Sequence, residues 1–238
     1  MRMRGFTLIE MILTIIIGSI LVLGIAGFVE LGSRGYADTV ARQRIQTQAK
    51  FVLEKIAREV RHAVPNSFAI TESGSQQCLR FYPIVYSGFY HLEAKDSQQL
   101  SFVVGNHTGD SAGLDFTGLK MIINPTHYSE FDSETTLTLS GSATHINLVK
   151  PLASQSVGRR FYLYRDAVEY CLNFAGDRPA AHTMTRNGIQ VADSVVAGQF
   201  SYADPSLQRG GVVHLSLSLA QNGERSDFEQ DVQVLNVP

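Results

Sequence analysis

The stretch that decides the fold runs from Phe6 to Val29 and reads FTLIEMILTIIIGSILVLGIAGFV. Glu10 is its only ionisable side chain, and no charge occurs between Met11 and Val29. As an α-helix it would be roughly 36 Å long, which exceeds the hydrocarbon thickness of a bilayer, about 30 Å. A helix that is apolar on every side predicts a membrane-spanning segment, not the surface helix of a soluble domain.

Two ordinary explanations of this segment compete. A cleaved secretory signal has an apolar run of about 7–15 residues and a small-residue cleavage site after it. Here the run is longer, and no clear Ala-x-Ala site follows. An ordinary signal anchor fits the length and charge but leaves Glu10 unexplained, because a charged residue at the membrane centre costs about 2.5–3.5 kcal/mol. Such a residue is usually retained for a partner.

The residues that flank the start of the apolar run form a specific motif. Arg2, Arg4 and Gly5 precede the sequence Phe-Thr-Leu-Ile-Glu. This arrangement resembles the class III leader of type IV pilins and type II secretion pseudopilins. In that family a prepilin peptidase cleaves after the glycine and methylates the new amino terminus. The resemblance implies cleavage between Gly5 and Phe6, N-methylation of Phe6, and retention of the apolar helix.

The same resemblance gives Glu10 a role in assembly. In filaments of this family the apolar helices pack into a core, and the glutamate of an incoming subunit faces the positive amino terminus of a neighbour. A carboxylate and an ammonium attract strongly at low dielectric, whereas an unpaired charge there is penalised. Glu10 is therefore expected to act as a register check on subunit docking.

The chain divides into four segments: a leader at 1–5, a membrane and filament-core helix at 6–29, an amphipathic second half of the helix at 30–64, and a head at 66–238. Pro65 is expected to end the helix near His62. Gly32 and Gly35 make a soft point at which the helix could bend or break. The basic residues of the second half form either a solvated face or a contact with anionic headgroups or acidic neighbours. Apolar residues recur in that half at helical spacing: Val40, Ile45, Ala49, Val52, Ile56, Val60 and Ala63.

From Asn66 onward the pattern changes to alternating residues and turn clusters. The fold class predicted is α+β, with a long N-terminal helix and a mainly antiparallel β-sheet head packed on its amphipathic half. The predicted strands are Leu79–Tyr86, Leu100–Val104, Leu119–Ile123, Thr135–Leu139, Ile146–Val149, Phe161–Tyr164, Val168–Phe174, Gly188–Val191, Gly211–Leu219 and Phe228–Val237.

Charge and cysteine content argue against two classes of protein, nucleic-acid binders and disulfide-rich scaffolds. Lys+Arg is 20 and Asp+Glu is 22, so the net charge of −2 argues against a nucleic-acid partner. The two cysteines, Cys78 and Cys171, are too few for a disulfide-rich scaffold. The pilin resemblance places the head in the periplasm, where thiols oxidise. A disulfide between Cys78 and Cys171 is therefore expected, and two buried free thiols are the alternative.

Chemistry at other residues is weakly indicated. Gly109–Gly113 fits the Gly-x-Ser-x-Gly pattern, but no strand precedes it and no helix follows it, as a nucleophile elbow requires. A membrane-anchored serine hydrolase using Ser111 is the remote alternative. Asn106, Asp110 and Asp115 could offer oxygens to calcium, but their spacing is not that of an EF-hand. The seven histidines are scattered without zinc spacing. We expect no catalytic residue, no cofactor and no metal.

Looser similarities concern the head. The sequence Arg159–Leu163, the Val-Glu-Tyr-Cys that ends at Cys171 and the closing segment Phe228–Pro238 resemble minor pilins of the mannose-sensitive haemagglutinin (MSHA) pilus, of the MshO type. The type II secretion pseudopilin J is similar in leader and size and is the alternative. The resemblance implies these partners: major and other minor pilins, the prepilin peptidase, the inner-membrane assembly platform and membrane lipid. It implies a single-pass inner-membrane protein with a periplasmic head that moves to the pilus and cell surface, and a part in pilus assembly, priming or adhesion.

Overall fold

The computed structural model describes residues 6–93, 98–105, 113–132, 136–174, 182–205 and 210–234. One long helix, α1 (Leu8–Arg61), is followed by a head of β-strands that pair in antiparallel fashion throughout the described residues. The predicted α+β class is thus confirmed.

Helix α1 is continuous over 54 residues. The soft point expected at Gly32 and Gly35 does not interrupt it. Its C-cap is His62, whose backbone N–H donates to the carbonyls of Glu59 and Val60, so the helix ends where Pro65 predicts. Only the second half of α1 is buried against the head, through residues at helical spacing: Ala41, Ile45, Ala49, Val52, Ile56, Ala57 and Val60.

The described strands are β1 (Ala69–Ser73), β2 (Gln76–Phe81), β3 (Tyr86–Leu92), β4 (Gln99–Val104), β5 (Lys120–Ile122), β6 (Leu137–Thr138), β7 (His145–Asn147), β8 (Arg160–Tyr164), β9 (Val168–Asn173), β10 (Thr183–Arg186), β11 (Ile189–Ala192), β12 (Val195–Ala203), β13 (Val212–Gln221) and β14 (Glu224–Gln233). A 3₁₀ helix spans Tyr128–Asp132. Each predicted strand has a counterpart, with boundaries that differ by a few residues. Thr135 and residues 235–237, at the ends of two predicted strands, lie outside the described residues.

One predicted strand is wrong in extent. Leu79–Tyr86 was expected to be continuous, but β2 ends at Phe81 and β3 begins at Tyr86. Pro83 lies between them and makes an isolated bridge with Ala63. Because proline has no backbone N–H, it cannot continue the ladder of hydrogen bonds.

Four strands were not predicted: β1, much of β3, β10 and β12. The short strands β1 and β10 carry polar residues at most positions, which hides the alternation. In β12 the pattern is broken by Gly198, where an added Cβ would lie 3.1 Å from both a side-chain carbon of Leu172 and the carbonyl oxygen of Ser216. The glycine there reflects close packing between sheets.

Two of the three sheets pack against the second half of α1. They are a five-stranded sheet of order β1-β2-β9-β10-β11 and a three-stranded sheet of order β12-β13-β14. Their inner faces share one core with α1, built around Ile56, Tyr170, Leu172, Phe200 and Leu217. We call α1 from residue 41 onward and these two sheets the helix-docked unit.

The third sheet has six strands in the order β6-β5-β8-β3-β4-β7 and lies wholly between β2 and β9 in the sequence. It has its own core, which includes Leu100, Phe102, Phe116 and Phe161. We call residues 82–167 the inserted lobe. A single sheet on the helix was expected, so the division of the head into a helix-docked unit and an inserted lobe is a correction.

Candidate functional site

The first half of α1 is bare. Phe6 is 78% exposed, Leu23 73% and Phe28 79%, and the head covers none of the helix before Ala41. By length and composition this helix could cross a membrane. Apolar surface on this scale is unfavourable in water, so it needs either lipid or other protein around it.

Glu10 lies in the first turn of α1, whose N-cap is Thr7. The backbone N–H groups of Glu10 and Met11 both donate to the Thr7 carbonyl, at 3.2 and 3.3 Å. The spacing of Thr7 and Glu10 is that of a capping box, but no side-chain cap hydrogen bond forms. Among the described residues the Glu10 carboxylate has no hydrogen-bond partner, so this exposed acid is available to a group on another molecule.

Phe6 precedes α1 as an exposed residue, and Gly5 lies outside the described residues. Phe6 and Glu10 are four residues apart in sequence, and both lie at the N-terminal end of the apolar surface. A carboxylate at this depth inside an apolar surface fits pairing with a cation that reaches the same depth from a neighbour.

Ion pairs connect the head to the second half of α1. Both Arg42 and the carboxylate of Glu224 contribute two atoms to their contact, with the shortest N–O distance 3.0 Å. Nearby, Nη2 of Arg44 lies 3.1 Å from Oδ2 of Asp193. These contacts tie one turn of α1 to the start of β14 and to the turn after β11. Sequence reasoning missed them, because residues so far apart leave no pattern along the chain.

A third polar contact between α1 and the head lies near the C-terminal end of the helix, at Glu59. Nε of Arg186 donates to both carboxylate oxygens, at 3.2 and 3.0 Å, and the Tyr170 hydroxyl donates to Oε2 at 3.0 Å. Lys55 approaches from one turn earlier, 3.5 Å from Oε1. Burial raises the pKa of Tyr170 above its usual value, and the negative charge of Glu59 raises it further. The tyrosine is thus held neutral as a hydrogen-bond donor.

Cys78 and Cys171 are joined in a disulfide. They are directly opposed residues of β2 and β9, with their Cα atoms 4.0 Å apart. Glu169 lies close enough to form a three-residue group of potential metal ligands with them. Sulfurs bonded to each other offer no thiolate, so this group is a structural bridge and not a metal centre.

The candidate serine and calcium residues fall mostly outside the described part of the chain. Ser111, Asn106 and Asp110 lie in 106–112, which the structure does not describe. Asp115 is described, and its Oδ1 accepts from both the backbone N–H and the hydroxyl of Thr117. The Thr117 side-chain and backbone hydrogen bonds lower the pKa of Asp115. Its carboxylate therefore serves a local turn.

Comparison with known proteins gives one match. Residues 1–26 match the family model described as the prokaryotic N-terminal methylation motif. A search of curated proteins and a search of solved structures each found no match. The matched segment contains Gly5, Phe6 and Glu10 together with most of the bare apolar helix. A methylation motif on a helix that its own head leaves uncovered supports placing this chain in the type IV pilin-like family.

Proposed function

We propose that this chain is a minor subunit of a type IV pilus of MSHA-like type, cleaved between Gly5 and Phe6 and N-methylated at Phe6 by a prepilin peptidase. The observation that carries the proposal is the bare first half of α1, which continues without a break into a half locked to the head. Such a helix can lie in the membrane before assembly and in a filament core after it. The family is one of structural subunits, so the chain is a substrate of an enzyme and not itself an enzyme.

Assembly in this proposal depends on Glu10. The subunit waits in the inner membrane with its head in the periplasm and is extracted by the assembly platform. Its exposed carboxylate then pairs with the methylated amino terminus of a neighbouring pilin. Methylation keeps the positive charge of that terminus, so the attraction survives processing. Pairing at low dielectric favours the docking register in which both charges are compensated.

The features of the head support a minor subunit. The inserted lobe adds a complete second core to the helix-docked unit, which makes the head large for a major pilin. The segments that resemble MSHA minor pilins of the MshO type coincide with β8, β9 and the β14 region. A role in priming assembly or at the filament tip, including adhesion, follows for a subunit of this kind. The second candidate is a type II secretion pseudopilin of the J type, because the methylation motif is common to both classes.

The proposal is tested with Glu10→Ala and a matched control, Glu54→Ala, which removes an exposed carboxylate from the same helix. Each variant replaces the native protein in its own cell, and sheared surface filaments and membranes are probed for it. We expect Glu10→Ala to be cleaved normally yet to be depleted at least about tenfold from filaments, with Glu54→Ala unchanged. Normal entry of Glu10→Ala into filaments contradicts the role of Glu10. Native protein found only in membranes favours the pseudopilin.

A Ser111→Ala variant addresses the hydrolase alternative. Unchanged pilus formation and unchanged cell phenotypes would leave that alternative without its nucleophile. A loss of function with normal filament entry would instead favour a membrane-anchored hydrolase.

A further inference from the structure

The disulfide stands at the base of the inserted lobe. All six strands of the lobe sheet lie between Cys78 and Cys171, which are 93 residues apart in sequence. The chain leaves the five-stranded sheet at Phe81 and re-enters it at Val168, and these two residues face each other in the register of β2 and β9. Only three residue pairs, from Leu79↔Tyr170 to Phe81↔Val168, separate the bridge from the two exits.

The lobe and the helix-docked unit are held by different cores. Buried residues of the lobe such as Phe102 and Phe161 pack with one another, and their rings lie 5.1 Å apart. The buried residues of the helix-docked unit form a separate cluster, and the lobe sheet shares no strand with the other two sheets. A local unfolding event can therefore remove one core while the other keeps its packing.

The junction between the two units lies where the chain leaves α1. It includes an aromatic cluster in which the Tyr82 ring lies 5.0 Å from Phe131 and 4.9 Å from Tyr164. Backbone N–H groups of Val64 and Ile84 donate to the carbonyls of Tyr82 and His62. The Tyr82 N–H also donates to the Ser67 hydroxyl, and the Asn66 amide donates to the Pro125 carbonyl. Opening of the lobe would loosen this cluster and pull on both exits of the five-stranded sheet.

We propose that the Cys78–Cys171 bridge uncouples the two units, so that the inserted lobe can open and reclose while the helix-docked unit stays folded. Without the bridge, an open lobe would be a long flexible loop between β2 and β9. The entropy lost in closing that loop would then destabilise the pairing of the two strands. With the bridge, the two strands stay in register whatever the lobe does. The disulfide limits fraying of β2 and β9 to the three residue pairs between it and the lobe.

The inference goes beyond the proposed function and does not depend on it. In any filament or membrane setting, the part of the head that grips α1 would survive an opening of the part that projects from it. The lobe could then yield to a partner or to a pulling force without releasing the head from its helix.

Hydrogen exchange on the full chain in detergent micelles tests this. Phe102→Ala removes a large side chain from the lobe core, where Phe102 is 3% exposed. We expect exchange in β3, β4 and β8 to speed up by about a hundredfold or more, while β2, β9 and β10 change less than about twofold. Phe200→Ala is the matched control in the other core, and it should speed exchange in β12 and β13. Loss of protection in β9 and β10 on Phe102→Ala with the bridge intact would overturn the proposal.

The bridge itself is tested by repeating Phe102→Ala in a chain that carries Cys78→Ser and Cys171→Ser. We expect the loss of protection to spread into β2, β9 and β10, by about tenfold or more. Protection of those strands that stays as high as with the bridge would show that the bridge does not separate the units. Should the bridgeless chain fail to fold, the Phe102→Ala result in the bridged chain decides alone.

Discussion

Glu59 and Arg186, 127 residues apart in sequence, meet across the interface between α1 and the five-stranded sheet, with Nε of Arg186 within 3.2 Å of both carboxylate oxygens. The Tyr170 hydroxyl completes the arrangement from β9. Both charged side chains are largely shielded, with 20% of Glu59 and 30% of Arg186 exposed. The helix is thus held to the head by directed polar contacts as well as by its apolar face.

Removing the acid of this contact should weaken the docking. We expect Glu59→Ala to lower the free energy of unfolding by roughly 1.5–3 kcal/mol, because it leaves Arg186 unpaired and the Tyr170 hydroxyl without its acceptor. Denaturant unfolding followed by circular dichroism measures this, since the chain has no tryptophan. Glu54→Ala, on the exposed side of the same helix, should change stability by less than about 0.5 kcal/mol. Equal losses of stability in the two variants would show that the contact of Glu59 with Arg186 and Tyr170 does not stabilise the docked helix.

Stability should fall at high pH in a way that depends on Tyr202. Burial, with a smaller contribution from the negative charge of Asp204, raises the pKa of Tyr202 to about 12. The unfolded tyrosine ionises near pH 10, so its stabilising contribution is complete below about pH 10 and is lost as the pH rises through about 12. Because the Tyr202 side chain is only partly buried, solvent weakens this effect, and Tyr202→Phe should reduce that loss by about 1 kcal/mol in denaturation curves between pH 10 and 12.

The control variant is Tyr36→Phe, because the Tyr36 side chain is 74% exposed on α1 and does not belong to the core of the head. Its unfolding curves should match those of the native protein. A Tyr202→Phe profile that matches the native one would show that Tyr202 is not the group responsible.

Two glycines of the inserted lobe, Gly88 in β3 and Gly105 just after β4, should respond differently to substitution. A Cβ on Gly88 would lie 1.9 Å from the carbonyl oxygen of Val103, so Gly88→Ala must push β3 away from β4. We expect a loss of about 3 kcal/mol or more in the free energy of unfolding. At Gly105 the nearest atoms would be 3.7 Å away, so Gly105→Ala should be tolerated. Similar stabilities of the two variants in thermal unfolding would show that the strands are not this close.

Loss of the disulfide should be costly. A closed loop with a sequence separation of 93 corresponds to about 4–5 kcal/mol in the chain-entropy treatment. The double change Cys78→Ser with Cys171→Ser should therefore lower the denaturation midpoint strongly. Dithiothreitol should lower the midpoint of the native chain in the same way once unfolding exposes the disulfide to the reductant. Intact mass before and after reduction under denaturing conditions checks the bridge directly. A native chain that already carries two free thiols would contradict it.

The helix and much of the head could be predicted from sequence because their patterns are local. The uncharged run after Glu10 and the regular spacing of Ile45, Val52 and Ile56 define α1 without any tertiary information. Strand β13 was equally clear, because Val213 and the leucines that follow alternate with polar residues. The short polar strands were missed because their pairing partners, and not their own residues, make them strands.

The division of the head into the helix-docked unit and the inserted lobe could not be predicted, for a different reason. Whether β2 pairs with β3 or with β9 is settled by contacts between residues far apart in sequence, and one sequence carries no trace of them. The contact of Glu59 with Arg186 is hidden in the same way, since each is an ordinary charged residue in its own segment. At the N-terminus the opposite holds, because Gly5, Phe6 and Glu10 form one short motif that can be recognised without the fold.

The central claim concerns that motif, and the N-terminal peptide of the mature chain tests it most directly. Mass spectrometry of sheared surface filaments and of the matching membrane fraction would identify the first residue and its modification. The account predicts a peptide that begins with N-methylated Phe6 and is present in the filaments. A peptide that still carries Met1–Gly5 in cells with an active prepilin peptidase would contradict it and leave an ordinary membrane-anchored protein.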